Sequence, residues 1–417
     1  TLFGVTYQQI ADAVQMGMED TVQALLTPVA LTPPVSVSPD DGVANIGDTW
    51  VNSPYPTNTL VSENARRESL GAWISYRINQ STFSVHEKMC LFWQNHFSAE
   101  AVFDSRASYQ YLELISNFAL GNIKTFTKEM TINPAMLFFL SGAFNNKFSP
   151  NENFARELFE IFTLGKGPQI GPGDYTHYTE QDILEASKVL TGWMIHGFLS
   201  ETEPTPYSEF HPALHDETDK TFSHHFNNQI ITNHGITEYE LLIDMLFDKH
   251  QTAVNLCTQI YRWFVNYDIT PIVQTTVIEE LAQTMEQNNF EIAPVLDQLF
   301  KSEHFYDIAI RGAIIKNPYE FMFGIFNCTN SQLNYNEVDS YPLYLLGYWL
   351  NANMGMDYGN PPTVGGWTAY YQAPAFSQLW VNSSFIKLRF DFSDWVTLWG
   401  GMQINGFTWE VNHIEFL

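Results

Sequence analysis

Apolar residues in this chain recur mostly at helical spacing. In the run HEKMCLFWQNHF, Met89, Phe92, Trp93 and His96 fall on one side at i, i+3, i+4 and i+7. Phe154, Leu158, Ile161 and Phe162 make a second stripe, and Ala293, Leu296 and Phe300 a third. The pattern predicts helices over 6–16, 18–26 and 63–79, one opened by Ser84, and two or three more between 104 and 140. Further helices are expected over 149–164, from Thr179 to about 192, and over 237–248, 251–265, 271–287, 291–301, 317–327 and 377–389. Strand alternation is sparse, with one small hairpin expected around 222–231.

Several ends carry chemical marks. Ser84 with Glu87, Ser149 with Glu152, and Thr179 with Asp182 have the spacing of a capping box. Pro150 would sit at the first helical position of its segment. Asn133-Pro134 and Asn317-Pro318 read as helix starts, and Gly165 as a left-handed stop. Two stretches break the pattern. Residues 27–61 hold six prolines and read as an extended crossing segment. Residues 197–235 are rich in Pro, Asp, Glu and His and read as a loop insertion that walls or covers a site. The expected fold class is mainly α: one large helical domain with this Pro-rich N-terminal segment and this insertion.

Composition narrows the function classes. The 417 residues are 45% hydrophobic and 15% aromatic, enough for a substantial core. Acids outnumber Lys plus Arg by 46 to 19, giving a net charge of −27. Such a surface repels nucleic acid and anionic lipid, so no nucleic-acid partner is expected. Low lysine content with many Asn and Gln fits an exported protein, whether periplasmic, cell-surface or extracellular. Cys90, Cys257 and Cys328 all lie in apolar runs and read as buried thiols rather than a disulfide framework. No uninterrupted apolar stretch is long enough to span a bilayer.

The densest polar cluster lies in SPNENFARELFEIFTLG. Glu152, Arg156 and Glu160 share one helical face, and Asn153 and Glu157 a neighbouring one. The ordinary reading is a solvated face laced with ion pairs. His96 on its apolar stripe reads first as a satisfied core histidine, and Asp182 as a cap residue. His215, Asp216 and Lys220 crowd into the loop insertion without an evident structural task. No GxSxG, P-loop, Rossmann glycine pattern or HExxH is present, which leaves serine-hydrolase and nucleotide-binding readings unsupported.

The motifs HEKMCLFWQNHF, NENFARELFEIFTLG, YTEQDILEASKVLTGW, HDETDK, KNPYEF and PPTVGGW, in this order, resemble the DUF1800 family of bacterial proteins. The resemblance runs from about Phe3 to Arg389. It implies one family-wide helical domain over 1–390, often exported, with 391–417 as a C-terminal extension. It implies no reaction. The family pattern falls on Asn95, His96, Asn151, Glu152, Asn153, Arg156, Glu157, Glu160, Asp182, Thr191, Gly192, Trp193, His215, Asp216 and Lys220. The family usually has Arg where this chain has Lys188.

Two readings follow. In the first, the protein is a metal-assisted hydrolase or related enzyme. Facing helices would bring His96, Glu152, Glu157 and Asp182 together around one divalent metal ion of unspecified identity. Glu157, Glu152, His215, Asp216 and Lys220 would do the chemistry, and Arg156, Asn153, Trp193 and Trp367 would hold substrate. A metal-free variant would use two carboxylates as acid and base. High Trp and Tyr content suits a sugar, which makes a polysaccharide or cell-surface partner a candidate. In the second reading the Glu–Arg–Asn cluster is a buried structural network in a non-catalytic surface or assembly protein.

Overall fold

The computed structural model describes residues 2–81, 83–99, 103–331, 333, 335–367 and 376–411. Helix α1 (Tyr7–Leu25) is opened by a capping box between Thr6 and Gln9 and broken at Gly17, whose φ of 78° splits it into the two helices expected from the pattern. Next come α2 (Thr59–Asn79), α3 (His86–His96), α4 (Ser105–Phe118), α5 (Ile123–Thr131) and α6 (Pro134–Phe139). Helix α7 (Glu152–Glu157) runs on into a π-helical turn, Leu158–Phe162. A small β1 (Gln169–Gly171) and β2 (Asp174–Tyr175) pair precedes α8 (Glu180–Val189). Strand β3 (Trp193–His196), just before the insertion, pairs with β4 (Tyr207–Phe210) inside it, and β5 (Lys220–Thr221) pairs with β6 (Ile230–Ile231). Then follow α9 (Glu238–Phe247), α10 (His250–Phe264), α11 (Pro271–Val273), a π turn at Gln274–Ile278, α12 (Glu279–Gln287) and α13 (Ile292–Lys301). The chain continues with α14 (Pro318–Cys328), α15 (Glu337–Asn353), α16 (Phe376–Leu379), α17 (Ser383–Trp399), β7 (Gly401–Ile404) and β8 (Phe407–Glu410). The fold is mainly α, and its described strands form only antiparallel pairs.

One hydrophobic cluster reaches from Phe3 to Val411. It includes the fully buried indoles of Trp50, Trp73, Trp93, Trp380 and Trp409. Position 390, expected to end the domain, falls inside α17. Beyond it, Trp409 stacks on Phe326 with ring centroids 4.0 Å apart, so β8 is part of the same core. The aromatic run after Trp367 lies outside the described residues. Cys90 and Cys257 are buried and Cys328 partly so; all three are free thiols. No described helix is long and apolar enough to cross a membrane.

Helix α2 organises the N-terminal half. An extended proline-rich segment leaves its carbonyls without ladder partners, and buried carbonyls need donors. Side chains of α2 supply them. Trp73 Nε1 donates to Thr32 O at 2.7 Å, and Ser69 Oγ to Val35 O at 2.7 Å. The fully buried Arg66 donates to Ser53 O, Pro54 O and the Asp41 carboxylate, the last at 2.6 Å.

The marked helix ends are partly where the pattern puts them. Asn133 caps α6, Thr179 and Asp182 form a capping box on α8, and Asn317 and Glu320 form one on α14. Two others differ. Helix α3 begins at His86, not after Ser84, because Glu87 is drawn into an ion pair with Arg77 at 2.5 Å. Helix α7 is capped by Asn151, not by Ser149, because the Asn151 N–H is held by Asn145 Oδ1 at 2.8 Å and the Asn151 side chain then accepts from Asn153 N. Pro150 accordingly lies before the helix.

Candidate functional site

Arg156 on α7 is the hub of the polar cluster. Its guanidinium forks onto Glu180 of α8, with Nη1 at 3.1 Å from Oε1 and Nη2 at 2.7 Å from Oε2. It also reaches Glu152 at 3.1 Å and Glu160 at 3.5 Å. Lys166 lies 3.1 Å from Glu160, and the Tyr178 hydroxyl donates to the same carboxylate. The hydrogen bonds to Glu180 hold Arg156 in its charged form, and Arg156 in turn lowers the Glu180 carboxyl. The network is half-exposed, so each pair contributes at most about 1 kcal/mol. Asn153 faces another way: its Nδ2 donates to Leu140 O at 3.2 Å and ties α7 to the end of α6.

Glu157 stands apart from this network. Burial, reinforced by the neighbouring Glu160 charge, pushes its carboxyl up to about 7. Because the folded value is the higher one, Glu157 lowers stability progressively as pH rises from about 4.5 through 7. Glu157→Gln removes that penalty. After discounting for solvent screening, the variant is expected to be about 1 kcal/mol more stable than the native chain at pH 8 and indistinguishable at pH 4.5. Melting curves at the two pH values test this; a difference that does not change with pH would remove the assignment.

Asp182 is fully buried and its carboxylate is fully committed. Oδ2 accepts from Thr179 N at 2.7 Å, Thr179 Oγ1 at 2.9 Å and Ser223 Oγ at 2.7 Å; Oδ1 accepts from Ser223 N at 2.6 Å. It caps α8 and clamps the insertion to it. Lys188 makes a single point contact with Glu185 at 2.8 Å.

The loop residues His215, Asp216 and Lys220 do have structural work, and it is centred on Glu238. His215 Nε2 lies 3.1 Å from Glu238 Oε2, and Lys220 Nζ 2.6 Å from Glu238 Oε1, with all three side chains buried. His215 Nδ1 faces Thr191 O at 2.9 Å, while the Asp216 N–H donates to Thr191 Oγ1 at 2.8 Å. The Lys220 ammonium also donates to Asp216 O. The Asp216 carboxyl sits below its usual range: burial opposes this, and hydrogen bonds from the Thr218 hydroxyl and N–H outweigh it. Glu238 was missed in the sequence because an acid in a first helical turn is ordinary. The sequence near Lys220 pointed elsewhere, because Asp216, Glu217 and Asp219 offer it nearer acids.

His96 is a core histidine. Its ring packs among Phe92, Trp93, Phe97 and Phe162, and Nδ1 meets Gln259 Oε1 at 2.8 Å. Burial pushes it down to about 4, so the imidazole is neutral. Next to it Asn95 Oδ1 accepts from Trp367 N at 3.0 Å. Gly366 makes that docking feasible, with φ of +86° and a Cβ position only 2.2 Å from Asn95 Oδ1. Trp367 and Trp193 are 5% and 6% exposed, too buried to serve as platforms for substrate.

The expected site residues therefore lie in separate networks: Glu152, Arg156 and Glu160 with Glu180; Asp182 with Ser223; His215 and Lys220 with Glu238; His96 in the aromatic core. Among the described residues, three groupings of His, Cys, Asp and Glu have ligand atoms within 4.8 Å of one another: His86/Glu87/Cys90, Asp174/His224/His225 and His196/Glu209/His211. None contains His96, Glu152, Glu157 or Asp182.

A different feature has the shape of a binding site. A cleft of about 460 Å³ opens between α2, α4 and α15. Tyr348 and Trp349 supply aromatic surface, and Arg67, Glu68 and Asn360 polar groups. Tyr348 is fixed by donating to the Asp357 carboxylate and to Tyr358 O. Trp349 is 45% exposed.

A family model described as protein of unknown function (DUF1800) matches residues 1–413. No curated protein and no solved structure matches the chain.

Proposed function

The chain belongs to this family of unknown function, and from that premise we propose that it is a non-catalytic, exported binding protein whose cleft between α2, α4 and α15 takes a neutral or cationic oligosaccharide. The observation that carries this reading is the cleft itself: aromatic surface flanked by polar side chains, with an exposed indole at its edge. Sugar rings present apolar faces to aromatic rings and hydroxyls to carboxylates and amides, which fits such a lining. The net charge of −27 disfavours an anionic polymer. Glu157 excepted, the acids and imidazoles named for a hydrolase are engaged with one another and with backbone groups, which favours a binding role over a catalytic one.

Calorimetric titration with chitohexaose and cellohexaose tests this. At least one is expected to bind with a Kd between roughly 10 μM and 1 mM, and Trp349→Ala to weaken it about tenfold, the loss of about 1.4 kcal/mol of stacking. No binding at millimolar sugar, or binding that Trp349→Ala leaves unchanged, would remove the proposal. Shorter sugars accumulating during the titration would return the protein to the enzymes.

A further inference from the structure

The β3–β4 hairpin gathers three metal-ligating side chains on one face. The pairing register sets Met194 opposite Glu209 and His196 opposite Tyr207. Side chains alternate faces along a strand, so His196 on β3 and Glu209 on β4 share a face, and His211, two residues beyond Glu209, falls on it as well. The backbone continues the ladder there, since His211 N donates to Gly192 O at 2.7 Å. Tyr207 stacks on the His196 ring, with centroids 5.3 Å apart and planes 25° apart, which fixes the imidazole.

Three atoms converge. His196 Nε2 lies 3.2 Å and His211 Nε2 3.3 Å from one and the same carboxylate oxygen, Glu209 Oε2. Ligands about 2.0–2.1 Å from a tetrahedral cation lie roughly 3.3 Å apart, so these spacings are those of adjacent corners of such a shell. The contacts are not hydrogen bonds. Both Nε2 atoms are shielded from solvent, and neither has a hydrogen-bond partner. Shielded ring nitrogens normally find a donor or acceptor, and two that lack one while lying within 3.3 Å of one carboxylate oxygen are placed to act as ligands with it. Glu209 is half-exposed, so a fourth position faces water.

The other two groupings differ in this respect. At His86/Glu87/Cys90, the Arg77 guanidinium sits 2.5 Å from Glu87, and His86 Nε2 is taken by Ser116 O at 2.9 Å; a second cation would be repelled there. At Asp174/His224/His225, His225 Nε2 is already hydrogen-bonded to Asp174 Oδ1 at 2.8 Å.

We propose that His196, Glu209 and His211 bind one late first-row divalent cation, with two imidazole nitrogens, one carboxylate oxygen and an open fourth position. Imidazole ligands favour zinc and its neighbours over magnesium or calcium, and the strongly acidic surface concentrates cations. The ion staples β3 to β4 across the ten-residue connection between them.

The test uses the full chain, stripped with chelator and titrated with Zn²⁺ against a chromophoric competitor. One zinc per chain is expected, with a Kd in the micromolar range or tighter. His196→Ala and His211→Ala should each weaken it by about 100-fold and Glu209→Gln by about 10-fold, whereas His225→Ala should leave it unchanged. Zinc should also raise the melting midpoint of the native chain and of His225→Ala, but not of His196→Ala. Absence of stoichiometric zinc binding, or binding that survives His196→Ala or is lost with His225→Ala, would overturn the assignment. All four side chains lie on or beside the insertion, and circular dichroism at the start of each titration confirms that the variant is folded.

Discussion

Replacing Lys220 by methionine is expected to destabilise the protein by about 3–5 kcal/mol. The ammonium is buried, 2.6 Å from Glu238 Oε1, and it also holds Asp216 O. Methionine fills similar space but leaves the Glu238 carboxylate buried, with His215 and the His234 N–H as its remaining partners. A stranded buried charge, not the lost contact, dominates such a change. Removing the charge as well should therefore help: Lys220→Met with Glu238→Gln is expected to recover more than half of the loss. A chain of 417 residues loses roughly 0.9 kcal/mol of stability per degree near its midpoint, so the single variant should melt roughly 3–6 °C lower. A shift below about 1 °C, or a double variant worse than the single, would show that Glu238 does not depend on Lys220.

The helical fold was legible because its signals are local. Apolar spacing, Asn133, Thr179 with Asp182, and Asn317 all act within a few residues, and each appears in the structure as expected. Ser84 and Ser149 have the same local signature and fail, because stronger engagements compete at both helix starts. Arg77, ten residues before Glu87, takes that carboxylate, and Asn145, six residues before Asn151, fixes which residue caps α7. Capping contributes about 1 kcal/mol, and a partly buried ion pair or a backbone-anchored amide can override it.

The polar sites were legible as residue types and not as groups. Composition picked out Arg156, Asp182, His215 and Lys220, and all four are pivots of networks. Their partners could not be read off: Glu180 lies 24 residues from Arg156, Ser223 lies 41 from Asp182, and Glu238 lies 23 from His215. Helical periodicity says which residues share a face of one helix, and nothing about which face meets it. The His196/Glu209/His211 face was invisible for a related reason. Strands of four residues give too little alternation to fix a register, and without the register the three side chains have no common side.

Arg106→Met is the second change expected to cost about 3–5 kcal/mol. Arg106 is fully buried and uses its guanidinium in five directions. Nε and Nη2 fork onto Asp104 at 3.1 and 2.7 Å, Nη1 donates to Glu203 O and Pro204 O at 2.7 and 3.2 Å, and Nη2 donates to Gly197 O at 2.8 Å. Gly197, Glu203 and Pro204 belong to the connection between β3 and β4, so one side chain of α4 holds that whole loop. Asp104 reinforces the attachment by accepting from Leu199 N at 2.8 Å. Methionine would leave Asp104 buried and charged and three loop carbonyls without their donor. Lysine carries the charge but not the planar fork, and should restore less than half of the loss. Limited proteolysis gives an independent readout: in Arg106→Met the 197–206 connection should be cut faster than in the native chain, while cleavage elsewhere changes little. If the variant melts within about 1 °C of the native chain and the loop remains as resistant, then Arg106 does not anchor the hairpin, and its placement there is wrong.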